Sequence, residues 1–84
     1  MSIRPNPFIG STDIEFAVPW SERTVVEVYN SIGTKVATLF DANAEAGQKY
    51  TVRFSTPDQS GQGMYLCVVR SAKGYKVKPV MQIR

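Results

Sequence analysis

The stretch Thr24–Leu39, TVVEVYNSIGTKVATL, leaves this chain few ways to fold. Thr24, Val26 and Val28 alternate with Val25, Glu27 and Tyr29, the period of a strand whose two faces differ. Asn30-Ser31-Ile32-Gly33 then interrupts the run. Asn brings local side-chain hydrogen bonds to a turn, and Gly accepts positive φ without steric cost. A type I turn closed by a bulge, with Gly33 left-handed, is predicted, and Lys35–Leu39 is the return strand. This hairpin is expected at the centre of a small all-β domain.

The flanking segments extend the pattern. Arg4-Pro5-Asn6-Pro7-Phe8 is a stiff lead-in, because each proline fixes its own φ and pushes the preceding residue to extended backbone. Phe8 is expected to anchor at the core edge. Ser11–Val18 alternates, with Ile14, Phe16 and Val18 on one face and Asp13, Glu15 and Ala17 on the other, and Pro19 ends it. Trp20, beside the next turn, is expected to cap the core; exposed, it would be a sugar or protein contact. Phe40–Gly47 is predicted as a connecting loop closed by Gly47. Lys49–Phe54 is a further strand, with Tyr50, Val52 and Phe54 sharing a face. Ser55–Gly63 is rich in turn formers.

Met64–Arg70 is almost wholly apolar, which predicts a central strand covered on both faces. Within it, Cys67 reads as a small buried hydrophobe. Ser71-Ala72-Lys73-Gly74 predicts a second tight hairpin. Tyr75–Arg84 is the last strand, with Val77, Val80 and Ile83 expected inward, and Pro79 argues for a sheet edge. Six or seven short strands, frequent turn signals and no credible long helix predict an immunoglobulin-like antiparallel β-sandwich.

Composition narrows the chemistry. At 84 residues the chain is one domain. It has no His and one Cys, which excludes His-based triads, His metal sites, thiolate zinc and paired-thiol redox chemistry. Asp13 and Glu15 share a strand face, but a lone sandwich offers no deep cleft for paired-carboxylate catalysis. Neither enzyme activity nor a cofactor is expected. No apolar run could span a bilayer, and Met1-Ser2-Ile3-Arg4 does not open a secretory leader. The net charge of +3 is uneven: every acid precedes residue 59, and from Arg70 onward all charges are basic. That end suits either an anionic partner or an edge strand guarded by lysines. Tyr75 among Lys73, Lys76 and Lys78 is only a faint version of a nucleic-acid surface, and no nucleic-acid partner is expected.

Taken in order, several motifs resemble the C-terminal sorting domain of the type IX (Por) secretion system. Pro5-Asn6-Pro7-Phe8, then Ser11-Thr12 and Ile14, resembles its opening, with Ile9-Gly10 where Asn-Pro is usual. Val26–Val36 resembles its central hairpin, aliphatic-x-Val-Tyr-Asp/Asn-x-x-Gly-x-x-Val. Gly47 precedes a strand ending at Phe54, and Gly63-Met64-Tyr65 resembles its Gly-Val/Met-Tyr. The chain closes on Lys78, an aliphatic strand and Arg84, with Pro79 where a second Lys is common.

The resemblance implies a non-catalytic address label, residues 1–84, at the tail of a larger secreted protein. The cargo would lie N-terminal to it. The implied partners are the type IX translocon and a sortase-like signal peptidase. The implied route runs through the periplasm to the cell surface or the medium. Edge strands also offer a homodimer. Gly63, Tyr65, Lys76, Lys78, Val80, Ile83 and Arg84 are the expected recognition surface, read by strand addition at the last strand. The competing expectation is structural: Gly63 meets a turn constraint, Tyr65 packs, and Val80 and Ile83 fill the core. Gly33, Gly47 and Gly74 are expected as turn glycines. An immunoglobulin-like adhesion or carbohydrate-binding module, with Trp20 and Tyr75 as contacts, is the alternative function.

Overall fold

The computed structural model describes residues 1–56 and 62–83. Residues 57–61, the middle of the predicted Ser55–Gly63 loop, and Arg84 lie outside the described residues. The chain is all-β: β1 (Ser2–Arg4), β2 (Ser11–Phe16), β3 (Glu22–Asn30), β4 (Lys35–Ala44), β5 (Tyr50–Ser55), β6 (Gln62–Ser71) and β7 (Gly74–Ile83). They form a three-stranded sheet, β1-β2-β5, and a four-stranded sheet, β4-β3-β6-β7. All the strand pairs are antiparallel. This is an immunoglobulin-like sandwich in which the fourth strand stays beside the third instead of joining the first, second and fifth.

The predicted central hairpin forms as expected. The Gly33 N–H donates to Asn30 O at 3.0 Å, Asn30 N–H donates to Thr34 O at 2.9 Å, and Gly33 has φ of 88°. Asn30 Oδ1 also accepts from the backbone of Ile32 and Thr34. The second hairpin closes with Ser71 opposite Gly74. Gly47 and Gly74 also carry positive φ.

The core is filled from both sheets. Ile14, Phe16, Phe54, Val26, Val28, Cys67, Val69 and Val80 are buried, and Phe8 joins them. Two aromatic groups tie the layers together. Phe54 of β5 meets Phe8 and Tyr65 edge-on, at centroid distances of 5.9 and 5.3 Å. Phe16 stacks on Tyr50 at 5.5 Å and meets Phe40 of β4 at 5.3 Å. Such pairs add about 0.5–1.5 kcal/mol beyond the area they bury. Trp20 packs against the core, with Nε1 donating to Thr24 Oγ1 at 3.4 Å, as a cap.

Three expectations need correction. The predicted Phe40–Gly47 loop is largely strand. β4 runs to Ala44, opposite Glu22, and a register shift between Val26 and Glu27 keeps it paired. Its alanines and asparagine carry little strand preference of their own; pairing to β3 supplies it. Ser2–Arg4, of which the sequence reading places only Arg4, in the stiff lead-in, pairs with β2 as β1. Finally, β6 is central but covered on one face only. Cys67 and Val69 point into the core, whereas Met64 and Leu66 are exposed.

Candidate recognition surface

The hairpin β6–β7 carries most of the expected site. Its register runs unbroken from Gln62 opposite Ile83 to Ser71 opposite Gly74. An unbroken register fixes the face of every side chain. Val80 and Gln82 therefore point inward and are buried, while Val77 and Ile83 point outward. Val77 and Val80 have opposite parity, so without a bulge they cannot share a face, and the expectation of Val77 and Ile83 as inward residues is corrected.

β7 is thus inverted relative to its own hydrophobic pattern. Its outer face carries Tyr75, Val77, Pro79, Met81 and Ile83; its inner face carries Lys76, Lys78, Val80 and Gln82. The inner face is satisfied piecewise. Gln82 Nε2 donates to Thr56 Oγ1 at 3.0 Å. Lys78 Nζ donates to Met1 O at 3.3 Å. Lys76 lies at the open end, lining a depression with Met1, Val18 and Trp20. On β6, Tyr65 faces inward over Phe54 and opposite Val80. Gly63 sits inside the strand without positive φ, and a Cβ there would meet the Tyr65 ring at an ordinary 3.7 Å. No turn constraint acts on it.

The expected residues therefore do not share one face. Tyr65 and Val80 belong to the core, Lys76 and Lys78 follow the inner rim of β7, and Ile83 lies on the outer face. Arg84 lies outside the described residues.

The edge of β7 is also partly occupied. After β1 the chain crosses from one sheet to the other, and Phe8 makes a parallel bridge to Gln82. Phe8 N–H donates to Met81 O at 2.8 Å, and Ile83 N–H donates to Phe8 O at 2.9 Å. Asn6 completes the clamp: Nδ2 donates to Pro79 O at 3.0 Å, and Oδ1 accepts from Met81 N–H at 3.1 Å. Thr12 Oγ1 holds the crossing by donating to Pro5 O at 2.6 Å. Pro-Asn-Pro-Phe thus seals the edge over Pro79–Ile83, and Pro79 has no N–H to offer there.

Sequence reasoning missed two features of the outer face of this sheet. The first is an ionic cluster. Arg70 Nε and Nη2 donate to the two Glu27 carboxylate oxygens at 2.9 and 3.3 Å. Lys35 Nζ donates to Oε2 at 3.3 Å, and the Tyr29 hydroxyl donates to Oε1 at 3.2 Å. The Glu27 side chain is only 4% exposed. The Arg70 hydrogen bonds, helped by Lys35 and Tyr29 against the cost of burial, hold its carboxyl down at about 2. The second is an apolar stripe. Met64, Leu66, Val77, Met81 and Ile83 are each between 39% and 46% exposed. In register, Met64 faces Met81, and Val68 faces Val77. The alternation of β7 was visible in the sequence; which face met the core was not.

Cys67 is buried, and burial pushes its thiol up to about 11, which leaves it unreactive. Among the described residues no helix is long and apolar enough to cross a membrane. No curated protein and no solved structure matches the chain. A family model described as the secretion system C-terminal sorting domain matches residues 2–83, nearly the whole chain. In the structure Pro5–Phe8 is the edge clamp, Asn30–Gly33 the central turn, and Gly63–Tyr65 the start of the last hairpin. The chain belongs to the family of type IX secretion C-terminal sorting domains.

Proposed function

We propose that this domain is a folded, non-catalytic address at the end of a cargo protein. The cargo lies N-terminal to it, and the type IX translocon at the outer membrane carries both across. A sortase-like signal peptidase then removes the domain, and the cargo is attached to the cell surface or released. The family match over residues 2–83 carries this reading. The sandwich supports it, because a compact domain with a rigid terminal hairpin presents the same surface whatever cargo precedes it.

Recognition centres on the β6–β7 hairpin. Lys76, Lys78 and Ile83 supply accessible groups, Tyr65 and Val80 pack the hairpin onto the core beside Gly63, and Arg84, outside the described residues, joins the surface on the sequence resemblance alone. Trp20 caps the core from the inner side of β7, and Tyr75 lies on the outer side, which argues against a shared sugar-binding platform.

The test is transplantation. Residues 1–84 are fused to the C-terminus of a periplasm-directed fluorescent reporter in a bacterium with a working type IX system. Surface display or release that disappears when the translocon is disabled is expected. A folded fusion that stays in the periplasm defeats the reading.

A further inference from the structure

Two lysines share the inner side of β7, and they are placed differently. Lys76 is exposed at the open end, whereas Lys78 is half-buried between the sheets. A half-buried ammonium is costly unless its donors are used. Among the described residues Lys78 pairs with no carboxylate. Its Nζ donates instead to Met1 O at 3.3 Å, across 77 positions of sequence.

That bond holds the chain where it enters the domain. Met1 is partly buried against the core and lines the depression with Phe16, Val18, Trp20 and Lys76. Ser2, the next residue, is already in the ladder opposite Glu15. Further on, Asn6 and Phe8 are fastened to Pro79–Ile83. Residues 1–8 are thus tied to β7 twice, by Lys78 at their start and by the clamp at their end. The group that Lys78 grips is a main-chain carbonyl, which any residue at that position supplies.

On the sorting reading above, which this inference rests on, the cargo joins at this point and a peptidase must cut nearby. A peptidase takes its substrate as accessible extended chain, so backbone that is paired and packed has to open locally before it can be cut. We infer that Lys78 is a positioning residue for removal of the domain. By holding Met1 O it starts the rigid body at Met1, and it presents the backbone just upstream as the nearest chain free to enter the peptidase.

The test uses the same reporter fusion. Lys78→Met keeps the stem and loses the donors, Lys78→Arg restores a donor, and Lys76→Met is the neighbouring control. Val80→Ala shows what general destabilisation looks like, and each purified fusion is first melted to confirm that it folds. Fusions are digested briefly with proteinase K, and mass spectrometry reads the first residue of the resistant core. The wild-type core is expected to begin at or upstream of Met1. Lys78→Met should speed cutting between Met1 and Arg4 at least fivefold and raise hydrogen exchange at the Ser2–Arg4 amides, with β3 unchanged. Lys78→Arg and Lys76→Met should behave as wild type, and Val80→Ala should loosen both strands. In the type IX host, the exported Lys78→Met fusion should be processed more slowly or at scattered positions. A folded Lys78→Met with wild-type digestion, or the same loosening in Lys76→Met, overturns the inference. So does a Lys78→Met fusion that is exported and cut as wild type, or one that folds and is not exported at all, while the sorting reading stands in each case. A folded wild-type fusion that stays in the periplasm defeats the sorting reading, and the positioning role with it.

Discussion

The two outer faces of this sandwich have opposite characters. On the three-stranded sheet, Ser2, Arg4, Asp13, Glu15 and Thr51 line a shallow polar groove, and Arg53 pairs with Asp13 at 3.1 Å with both groups largely in water. On the four-stranded sheet, one half holds the Glu27 cluster and the other half is apolar. The first face shows that this fold needs no outer apolar surface to be stable. The second divides into an ionic half drawn together by Glu27 and an apolar half left in contact with water.

The sharpest break in that comparison lies between neighbours on β7. Val80→Ala, which opens a cavity in the core, should cost about 2 kcal/mol in urea unfolding. Met81→Gln, one residue on and facing solvent, should stay within about 0.5 kcal/mol. A costly Met81→Gln would mean that the stripe is structural after all.

Next come the two faces' ion pairs. Arg70→Ala takes two of the four hydrogen bonds from a nearly inaccessible carboxylate, leaving it Lys35 and Tyr29, and should lower the melting temperature by roughly 5 °C. Arg53→Ala breaks an exposed pair and should change it by less than about 2 °C.

pH separates the same pairs. Glu27 titrates at about 2 in the folded domain against an ordinary 4.5, so the folded state favours its charged form. Its contribution is complete above about pH 4.5 and is lost as pH falls from there through about 2. Melting temperature should decline across that window, and Glu27→Gln should flatten the decline.

Asn6→Ala removes two hydrogen bonds to the β7 edge and should cost about 1 kcal/mol, with faster hydrogen exchange at the Met81 amide. Gly63→Ala should be the mildest, within about 0.5 kcal/mol, because the added methyl finds ordinary contact with Tyr65.

Much of this was legible in the residues. The alternation in β2, β3 and β5, the Asn30–Gly33 turn and the buried Cys67 all follow from local pattern and turn chemistry. The second half of β4 was not legible, since Ala42, Asn43 and Ala44 become strand only by pairing with β3 across an irregular register. Glu27 looked like one polar residue on an open face. Its cluster needs Lys35 from β4 and Arg70 from β6, which only the sheet brings together. Period-2 patterning also cannot say which face of a strand meets the core when both carry apolar residues. Val80 alone on one side of β7 outweighs Val77, Met81 and Ile83 on the other, because the register from Gly74 decides it.

The clamp on β7 has one more consequence. Asn6 and Met81 stand 75 positions apart, yet their hydrogen bond closes the sheet's edge. A contact of that span forms late in folding. Until it does, a row of backbone donors and acceptors stays open to any passing strand. The domain thus bears a seal that exists only when residues 6–8 and 79–83 have met, so the guard on this edge is a product of the whole sandwich and not of the strand it covers.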